Sequence, residues 1–274
     1  DGITGGIINQ ISPGPTNSFG YSVDCMGDLN GDNIKELIIG APNGTTIGNP
    51  ATTGSAYIYS GTGTLLLNYD SSVINYFFGS SVANVGDYNG DGTNDFAVSD
   101  SGSAFQTMSA GAINIFSGAI NGSMFQLINR IGNLPGQILP FPVGGNFGGL
   151  IKGANLNGDN YSDLIVSSTG ANNVYTFLGP GQSSVCEWNS LNNLFGIAID
   201  TADVNGDGLS EVLIGDPYAN SNKGKTLIYS CGGVWSWGTG PLTFNWIHNP
   251  QNPQIGVATV TGAAPNSQGY LLSN

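Results

Sequence analysis

The chain has 274 residues, only 8% of them charged, and a formal net charge of −13. Five lysines and arginines are too few to neutralise a row of phosphates, which excludes nucleic-acid binding, and no stretch approaches the ~20 apolar residues of a membrane span. Abundant glycine, with Asn, Ser and Thr in place of charged residues, is typical of an all-β extracellular protein with many turns.

Four nine-residue segments carry nearly the same pattern of polar side chains. Each has an oxygen-bearing side chain at positions 1, 3, 5 and 9, glycine at position 4, and glycine or asparagine at position 6. We call residues 28–36, 87–95, 155–163 and 203–211 loops 1 to 4. Eleven of the 18 acidic residues lie in them, so the acidity indicates a supply of metal ligands, and four divalent ions would cancel eight of the thirteen negative charges.

The spacing of these oxygens predicts calcium binding. Calcium takes six to eight oxygen ligands, and side chains at alternate positions of a tight loop converge on one point, with the carbonyl of position 7 as a further ligand. The predicted ligands are Asp28, Asn30, Asp32, Ile34 and Glu36; Asp87, Asn89, Asp91, Thr93 and Asp95; Asn155, Asn157, Asp159, Tyr161 and Asp163; and Asp203, Asn205, Asp207, Leu209 and Glu211. Loop 3 begins with Asn155 and lacks one charge, so we expect it to bind most weakly.

Two other interpretations of the loops fit the sequence less well. Asp, Asn and Gly also form ordinary turns, but four copies with identical donor spacing disfavour that explanation. An EF-hand needs a glutamate at position 12, where this chain has only Ile or Val. A short apolar run follows each loop and predicts a buried strand.

The loops lie in a longer repeat. A phenylalanine–glycine pair precedes each loop, at Phe19-Gly20, Phe78-Gly79, Phe147-Gly148 and Phe195-Gly196. An alternating strand joins the pair to the loop. After the apolar strand comes a turn, such as Gly40-Ala41-Pro42, and then a second alternating strand in 54–61, 111–118, 173–179 and 224–230.

This succession resembles the FG-GAP repeat of integrin α-subunit β-propellers. The resemblance covers residues 19–230 strongly and implies a four-stranded blade per repeat, with a calcium loop between its first two strands. Gly-Ala-Pro is intact only at 40–42 and becomes Val98-Ser99-Asp100 or Ser167-Ser168 elsewhere.

The repeat predicts an all-β protein, a β-propeller of FG-GAP-like blades forming a single domain over 1–274. The blades are expected at about 19–77, 78–146, 147–194 and 195–254, with a fifth made of 255–274 plus 1–18 and lacking a calcium loop. We favour five blades closed by the N-terminal strand, because closure removes exposed strand edges. The alternative is part of a seven-bladed ring.

Several residues outside the loops are also informative. Cys186 and Cys231 are the natural disulfide pair and would leave Cys25 free, although three buried thiols are equally compatible with the sequence. The sequons at Asn43 and Asn121 are candidate N-glycan sites in a secreted protein.

No set of residues has the spacing of a catalytic site, and the chain contains one histidine. Asp24 and Asp200 lie in strands before loops and could contact the metal ligands. We therefore expect no enzyme activity and about four Ca²⁺ ions with a structural role.

The expected function is a calcium-binding propeller at the cell surface or outside the cell, with a structural, adhesion or assembly role and with protein partners or self-assembly. A lectin-like, carbohydrate-binding propeller is the alternative, suggested by Trp188, Trp235, Trp237 and Trp246, for which packing between blades is the simpler explanation. A polysaccharide-active or phospholipase-like enzyme is a third possibility.

Overall fold

A computed structural model describes residues 6–7, 9–12, 18–43, 54–71, 77–100, 111–119, 125–132, 145–181, 184–230, 243–247 and 257–261. These residues are almost entirely strand and turn, which confirms the all-β class. The strands are β1 Ser22–Cys25, β2 Leu37–Ala41, β3 Ser55–Tyr59, β4 Leu65–Asp70, β5 Phe78–Gly86, β6 Asp95–Asp100, β7 Ala112–Ser117, β8 Gln126–Gly132, β9 Phe147–Ala154, β10 Asp163–Ser168, β11 Asn173–Phe177, β12 Ser184–Asn189, β13 Ile199–Ala202, β14 Glu211–Asp216, β15 Lys225–Tyr229, β16 Thr243–Ile247 and β17 Val257–Thr261. One four-residue helical turn, α1 (Ala219–Asn222), lies between β14 and β15.

The strands form successive antiparallel sheets in chain order. Three sheets have four strands each, β1–β4, β5–β8 and β9–β12, and we call them blades 1, 2 and 3. Blade 4 comprises β13–β15 within the described residues, and β16 pairs with β17 in a separate hairpin. Each blade is a simple meander, so its first strand leads through an acidic loop into its second, as the repeat predicts.

The hydrophobic core lies between the blades. One buried cluster joins blades 1 and 2, a second joins blades 2 and 3, and a third joins blades 3 and 4. Alternate residues of one strand point to different clusters: Phe96 and Val98 of β6 pack toward blade 1, and Ala97 packs toward blade 3. In a β-propeller, each blade is a sheet that packs face to face against the next blade, and these sheets have that arrangement.

The phenylalanine–glycine pairs form four equivalent β-turns. In each turn the residue after glycine donates its N–H to the carbonyl of the residue before phenylalanine, at 3.0–3.1 Å. The glycine has a φ between +76° and +90°, which is the conformation required at the third position of a type II turn. Because a side chain is strained at that φ, the sequence conserves glycine in every copy of its own repeat.

The second of these turns docks on blade 1. The Ser22 hydroxyl donates to the Gly79 carbonyl at 2.9 Å, and Phe78 forms a parallel bridge with Gly54. A Cβ on Gly79 would lie 2.4 Å from the Ser55 carbonyl. The pair therefore serves as a blade-to-blade contact as well as a turn.

Some of the cysteines and tryptophans lie within the described residues. Cys186 is disulfide-bonded and Cys25 is free and exposed, while Cys231 lies outside the described part of the chain. Trp188 stacks on Tyr229 with ring centroids 4.8 Å apart, which supports the packing interpretation for this tryptophan. Trp235, Trp237 and the side chain of Trp246 lie outside the described residues. In the described ranges, no helix has the length and apolar character needed to cross a membrane.

Candidate metal centre

The four acidic loops all connect the first and second strands of a blade, so they lie at the same end of successive blades. In loops 1, 2 and 4 the position-1 aspartate accepts the backbone N–H groups of positions 4, 5 and 6. For Asp28 these donors are Gly31, Asp32 and Asn33, at 2.8–3.1 Å. Asp87 and Asp203 repeat the three bonds. Each carboxylate is thus fixed by its own loop backbone.

Positions 5 and 7 are fixed in the same way. The carboxylate of position 5 accepts the N–H of position 7 at 2.8–2.9 Å in all four loops. The amide nitrogen of the position-3 asparagine donates to the same position-5 carboxylate at 2.8–3.1 Å. An ion bound through position 3 would need the asparagine oxygen in place of this nitrogen.

Position 9 is the buried member of the set. Glu36, Asp95, Asp163 and Glu211 are all fully buried, and each accepts the N–H of position 2 of its loop at 2.6–3.0 Å. In loops 1 and 4 the second oxygen of the glutamate accepts the asparagine amide of position 3. In loops 2 and 3 the second oxygen of the aspartate instead accepts the N–H of Gly118 or Gly179 at 3.1 Å.

These two glycines were not expected as parts of the site. Gly118 directly follows the third strand of its blade, and Gly179 lies two residues beyond the third strand of its own; in blade 1, Gly61 also lies two residues beyond the third strand. The recurrence of glycine after the third strand was the sequence signal that could have identified these two residues.

Loop 3 differs from the others at position 1. Asn155 accepts only the N–H of Gly158, at 2.7 Å, and its amide nitrogen donates to the Asp159 carbonyl at 2.8 Å. One potential ligand oxygen is thereby replaced by a nitrogen. The expectation that loop 3 binds calcium most weakly stays a prediction, and this geometry supports it.

The charges in the loops perturb the pKa of their members. Burial raises the pKa of Asp95 to about 6. The Asp91 charge also raises this pKa, and three backbone N–H donors lower it. Burial likewise raises the pKa of Glu36, Asp163 and Glu211. At Asp28 desolvation is outweighed by the N–H donors of Asn33, Gly31 and Asp32, which hold its pKa below the ordinary value. The buried carboxylates are therefore costly to ionise without a nearby cation.

No lysine or arginine supplies that cation among the described residues. The salt bridges there pair Arg130 with Asp100, Lys152 with Asp200 and Lys225 with Asp216, all outside the loops. Carboxylate oxygens of Asp28, Asp32 and Glu36 lie within 4.8 Å of one another. Two ligands of one calcium ion lie at most about 5 Å apart, since each bond is about 2.3–2.6 Å. The donor set of loop 1 therefore fits calcium.

Consecutive loops also contact each other. The Ser162 N–H donates to the Asp87 carbonyl at 2.9 Å, and the Ser210 N–H donates to the Asn155 carbonyl at 3.0 Å. These bonds join position 8 of one loop to position 1 of the preceding loop. Asp24 and Asp200 also act between blades: Asp24 accepts the Asn84 N–H at 2.9 Å, and Asp200 pairs with Lys152 at 3.3 Å. Neither bonds a loop carboxylate in the described contacts.

Comparison with known families agrees with the repeat geometry. A family model described as an FG-GAP repeat matches residues 19–59, and one described as an FG-GAP-like repeat matches residues 155–214. Two segments of the chain are therefore similar to FG-GAP repeats. The two matches include loops 1, 3 and 4 with their Phe-Gly or apolar-strand context, and loop 2 has the same hydrogen-bond pattern.

The chain is also similar to integrin α-subunits. It is 34% identical over 167 residues to integrin alpha-PS5 of Drosophila melanogaster, covering 58% of this chain and 16% of that protein. It is 34% identical over 175 residues to integrin alpha-IIb of Mus musculus, covering 58% of this chain and 16% of that protein. It is 31% identical over 192 residues to integrin alpha ina-1 of Caenorhabditis elegans, covering 61% of this chain and 16% of that protein. The chain therefore spans about one sixth of these relatives.

Among solved structures, one titled "Structure of Dos1 propeller" matches 72% of this chain and 45% of its own, with a TM-score of 0.41 and 13% identity.

Proposed function

We propose that this chain is a calcium-stabilised β-propeller module of an extracellular or cell-surface protein, with a role in adhesion or assembly. The observation that carries the proposal is the set of converging carboxylates in loop 1, which has no lysine or arginine partner among the described residues. The backbone bonds that fix its position-5 and position-9 carboxylates recur in all four loops. Similarity to integrin α-subunits supports the adhesion role and favours binding over catalysis.

Each loop would hold one calcium ion through the side chains of positions 1, 3, 5 and 9 and the carbonyl of position 7. The ion would supply positive charge to carboxylates that the loop backbone already fixes in place. Because loop 3 is hydrogen-bonded to loop 2 and loop 4 to loop 3, ordering one of these loops also orders the edge of the next blade. The role of calcium is therefore structural.

Protein partners or self-assembly would use the blade surfaces, in a setting where N-glycans are compatible with Asn43 and Asn121. Asn43 lies in the turn after β2, where its amide donates to the Ser18 hydroxyl at 3.0 Å. Asn121 lies outside the described residues.

Isothermal titration of chelator-treated protein tests the calcium part. We expect up to four sites with dissociation constants of about 10⁻⁴–10⁻³ M, as in extracellular modules. Asp32→Ala should remove one site, and magnesium at equal concentration is the control because its smaller ion demands stricter octahedral geometry. Absence of calcium heat, or equal binding of magnesium, would contradict a calcium-selective site.

Bead aggregation tests the adhesion or assembly part. Beads coated with the intact chain should cluster in calcium and disperse in chelator, and negative-stain images of the free protein should show arrays under the first condition. Calcium binding with dispersed beads and isolated particles in both conditions would retain the metal site and reject self-assembly.

A further inference from the structure

A cleft lies between blades 3 and 4, at the end opposite the acidic loops. Its wider part has a volume of about 430 Å³ and is lined by Thr169, Gly170, Asn172, Asn193, Leu194 and Tyr218. A second part of about 280 Å³ shares Asn193 and Tyr218 and extends past Leu191, Asn192 and Asn222. Together they fall in the range of about 300–1,000 Å³ that is usual for small-molecule sites.

The lining combines polar and apolar groups and, among the described residues, carries no charge. Asn172, Asn192, Asn193 and Asn222 contribute side-chain amides, and no acidic or basic residue lines either part. An amide offers both donors and an acceptor, so a row of amides matches hydroxyl groups, which also do both. A charged ligand would find no counter-charge here, and a purely apolar one would leave the amides unsatisfied.

The cleft also presents apolar surface. Tyr218 is 44% exposed and Leu194 is 38% exposed, and both line the wider part. An exposed tyrosine ring is a flat, rigid, amphipathic platform for a ligand face that carries C–H groups.

The backbone around the cleft is held in an uncommon conformation. Asn172 and Asn222 have φ values of 57° and 67°, and Asn220 and Ser221 precede Asn222 in the same left-handed run in α1. Residues other than glycine adopt this region only at a cost, and successive left-handed residues are rarer still. Such conformations concentrate at binding sites, where the surrounding structure holds them.

A buried network positions one of the amides. The Asn192 amide donates to Asp216 and to the Ser190 hydroxyl, both at 3.0 Å, and Ser190 donates to Asp216 at 3.1 Å. Asp216 is fully buried, and Lys225 lies 3.8 Å from it. The network fixes Asn192 while it keeps the carboxylate out of the cleft, which is the preorganisation that a binding site needs.

We propose that this cleft is a binding site for a neutral saccharide. One face of a sugar ring packs on Tyr218, and its hydroxyl groups bond to the amides of Asn172, Asn192 and Asn193. The site is separate from the calcium loops and does not use the tryptophans, and it goes beyond the structural and adhesion role proposed above.

Saturation-transfer NMR on the intact, calcium-saturated chain tests the proposal. The probes are neutral trisaccharides of glucose, mannose, galactose and N-acetylglucosamine, with glucuronate as a charged comparison. At least one neutral probe should bind with a dissociation constant of about 1 mM. Tyr218→Ala should weaken that binding about tenfold, which is the effect of losing one ring contact. Tyr218→Phe should keep it.

Tyr21→Ala is the matched control, because Tyr21 is 68% exposed on blade 1 and lies outside the cleft. It should bind the probe like the wild type. Asn193→Ala, which removes an exposed amide, provides a second cleft variant should Tyr218→Ala melt at a lower temperature. The proposal is overturned if no neutral probe binds, if only glucuronate binds, or if folded cleft variants bind as tightly as Tyr21→Ala.

Discussion

Loops 1 and 4 end in glutamate, and loops 2 and 3 end in aspartate. Both acids are fully buried and accept the N–H of position 2. The longer side chain reaches the loop interior and accepts the position-3 amide. The second oxygen of the shorter one instead accepts the N–H of Gly118 or Gly179, one or two residues beyond the third strand. The difference of one methylene group therefore determines whether the buried acid bonds only within its loop or also bonds to the residues that follow the third strand.

The difference has a consequence for calcium. A glutamate with both oxygens in the loop could offer both to an ion, while Asp95 and Asp163 each have one oxygen bonded to a glycine N–H. We expect loops 1 and 4 to bind more tightly than loop 2, and loop 2 more tightly than loop 3.

The largest expected effect is that of Asp95→Ala in chelator. It leaves the N–H groups of Tyr88, Asn89 and Gly118 without their acceptor, at a cost of about 1–3 kcal/mol for each buried group. We expect a loss of about 3 kcal/mol in the free energy of unfolding by urea. Glu36→Ala leaves one backbone N–H, that of Leu29, without its acceptor, so it should lower the free energy of unfolding by less in the same buffer. Equal losses would show that the link to Gly118 contributes nothing.

Position-4 glycines test the contacts between loops. Gly31 and Gly90 both have a φ of +80°, so alanine costs about 1–2 kcal/mol at either site. A Cβ on Gly90 would also lie 2.5 Å from the Tyr161 ring, whereas nothing lies within 4 Å of one on Gly31. Gly90→Ala should therefore lose about 1 kcal/mol more than Gly31→Ala in urea unfolding. Tyr161→Ala added to Gly90→Ala should remove the excess, and persistence of the excess would place its origin elsewhere.

Glu36→Asp converts loop 1 to the aspartate type. The shorter side chain should lose contact with the loop interior, and we expect calcium affinity at that site to fall about tenfold, or about 1.4 kcal/mol. Site-resolved NMR titration of the loop 1 amides measures this change. Unchanged affinity would mean that the length of the position-9 acid does not set binding strength.

The pKa of Asp95, raised to about 6, predicts that folding stability changes with pH in opposite directions with and without calcium. In chelator the folded protein holds a proton that the unfolded chain loses near pH 4, so stability falls as the pH rises from 5 toward 7. Glu36, Asp163 and Glu211, also raised by burial, act in the same direction. In calcium the ion competes with the proton, and stability should rise over that interval. Thermal melts at pH 5 and 7 in both buffers check this, and parallel trends would refute it.

Much of the fold was predictable from local pattern. The apolar runs after each loop predicted β2, β6, β10 and β14, and the alternating segments predicted the third strands, because each signal lies within one short stretch. The number of blades and the limits of the domain stay predictions, since closure depends on segments outside the described residues.

The site was predictable only as a set of donors. Spacing placed the loop residues together, but the second bond of Asp95 depends on Gly118, a residue 23 positions later that approaches only when β6 and β7 pair. The role of the Phe-Gly pairs in joining blades was missed for the same reason. Long-range contacts of this kind leave no mark in local spacing.

Thermal unfolding of the intact chain in chelator and in millimolar calcium tests the central claim most directly. A calcium concentration about ten times the dissociation constant stabilises the folded state by about 1.4 kcal/mol per site. The melting temperature should rise by several degrees with calcium. Asp28→Ala, compared with its own melt in chelator, should show a smaller rise. Identical melting curves in the two buffers would show that the acidic loops are not structural calcium sites.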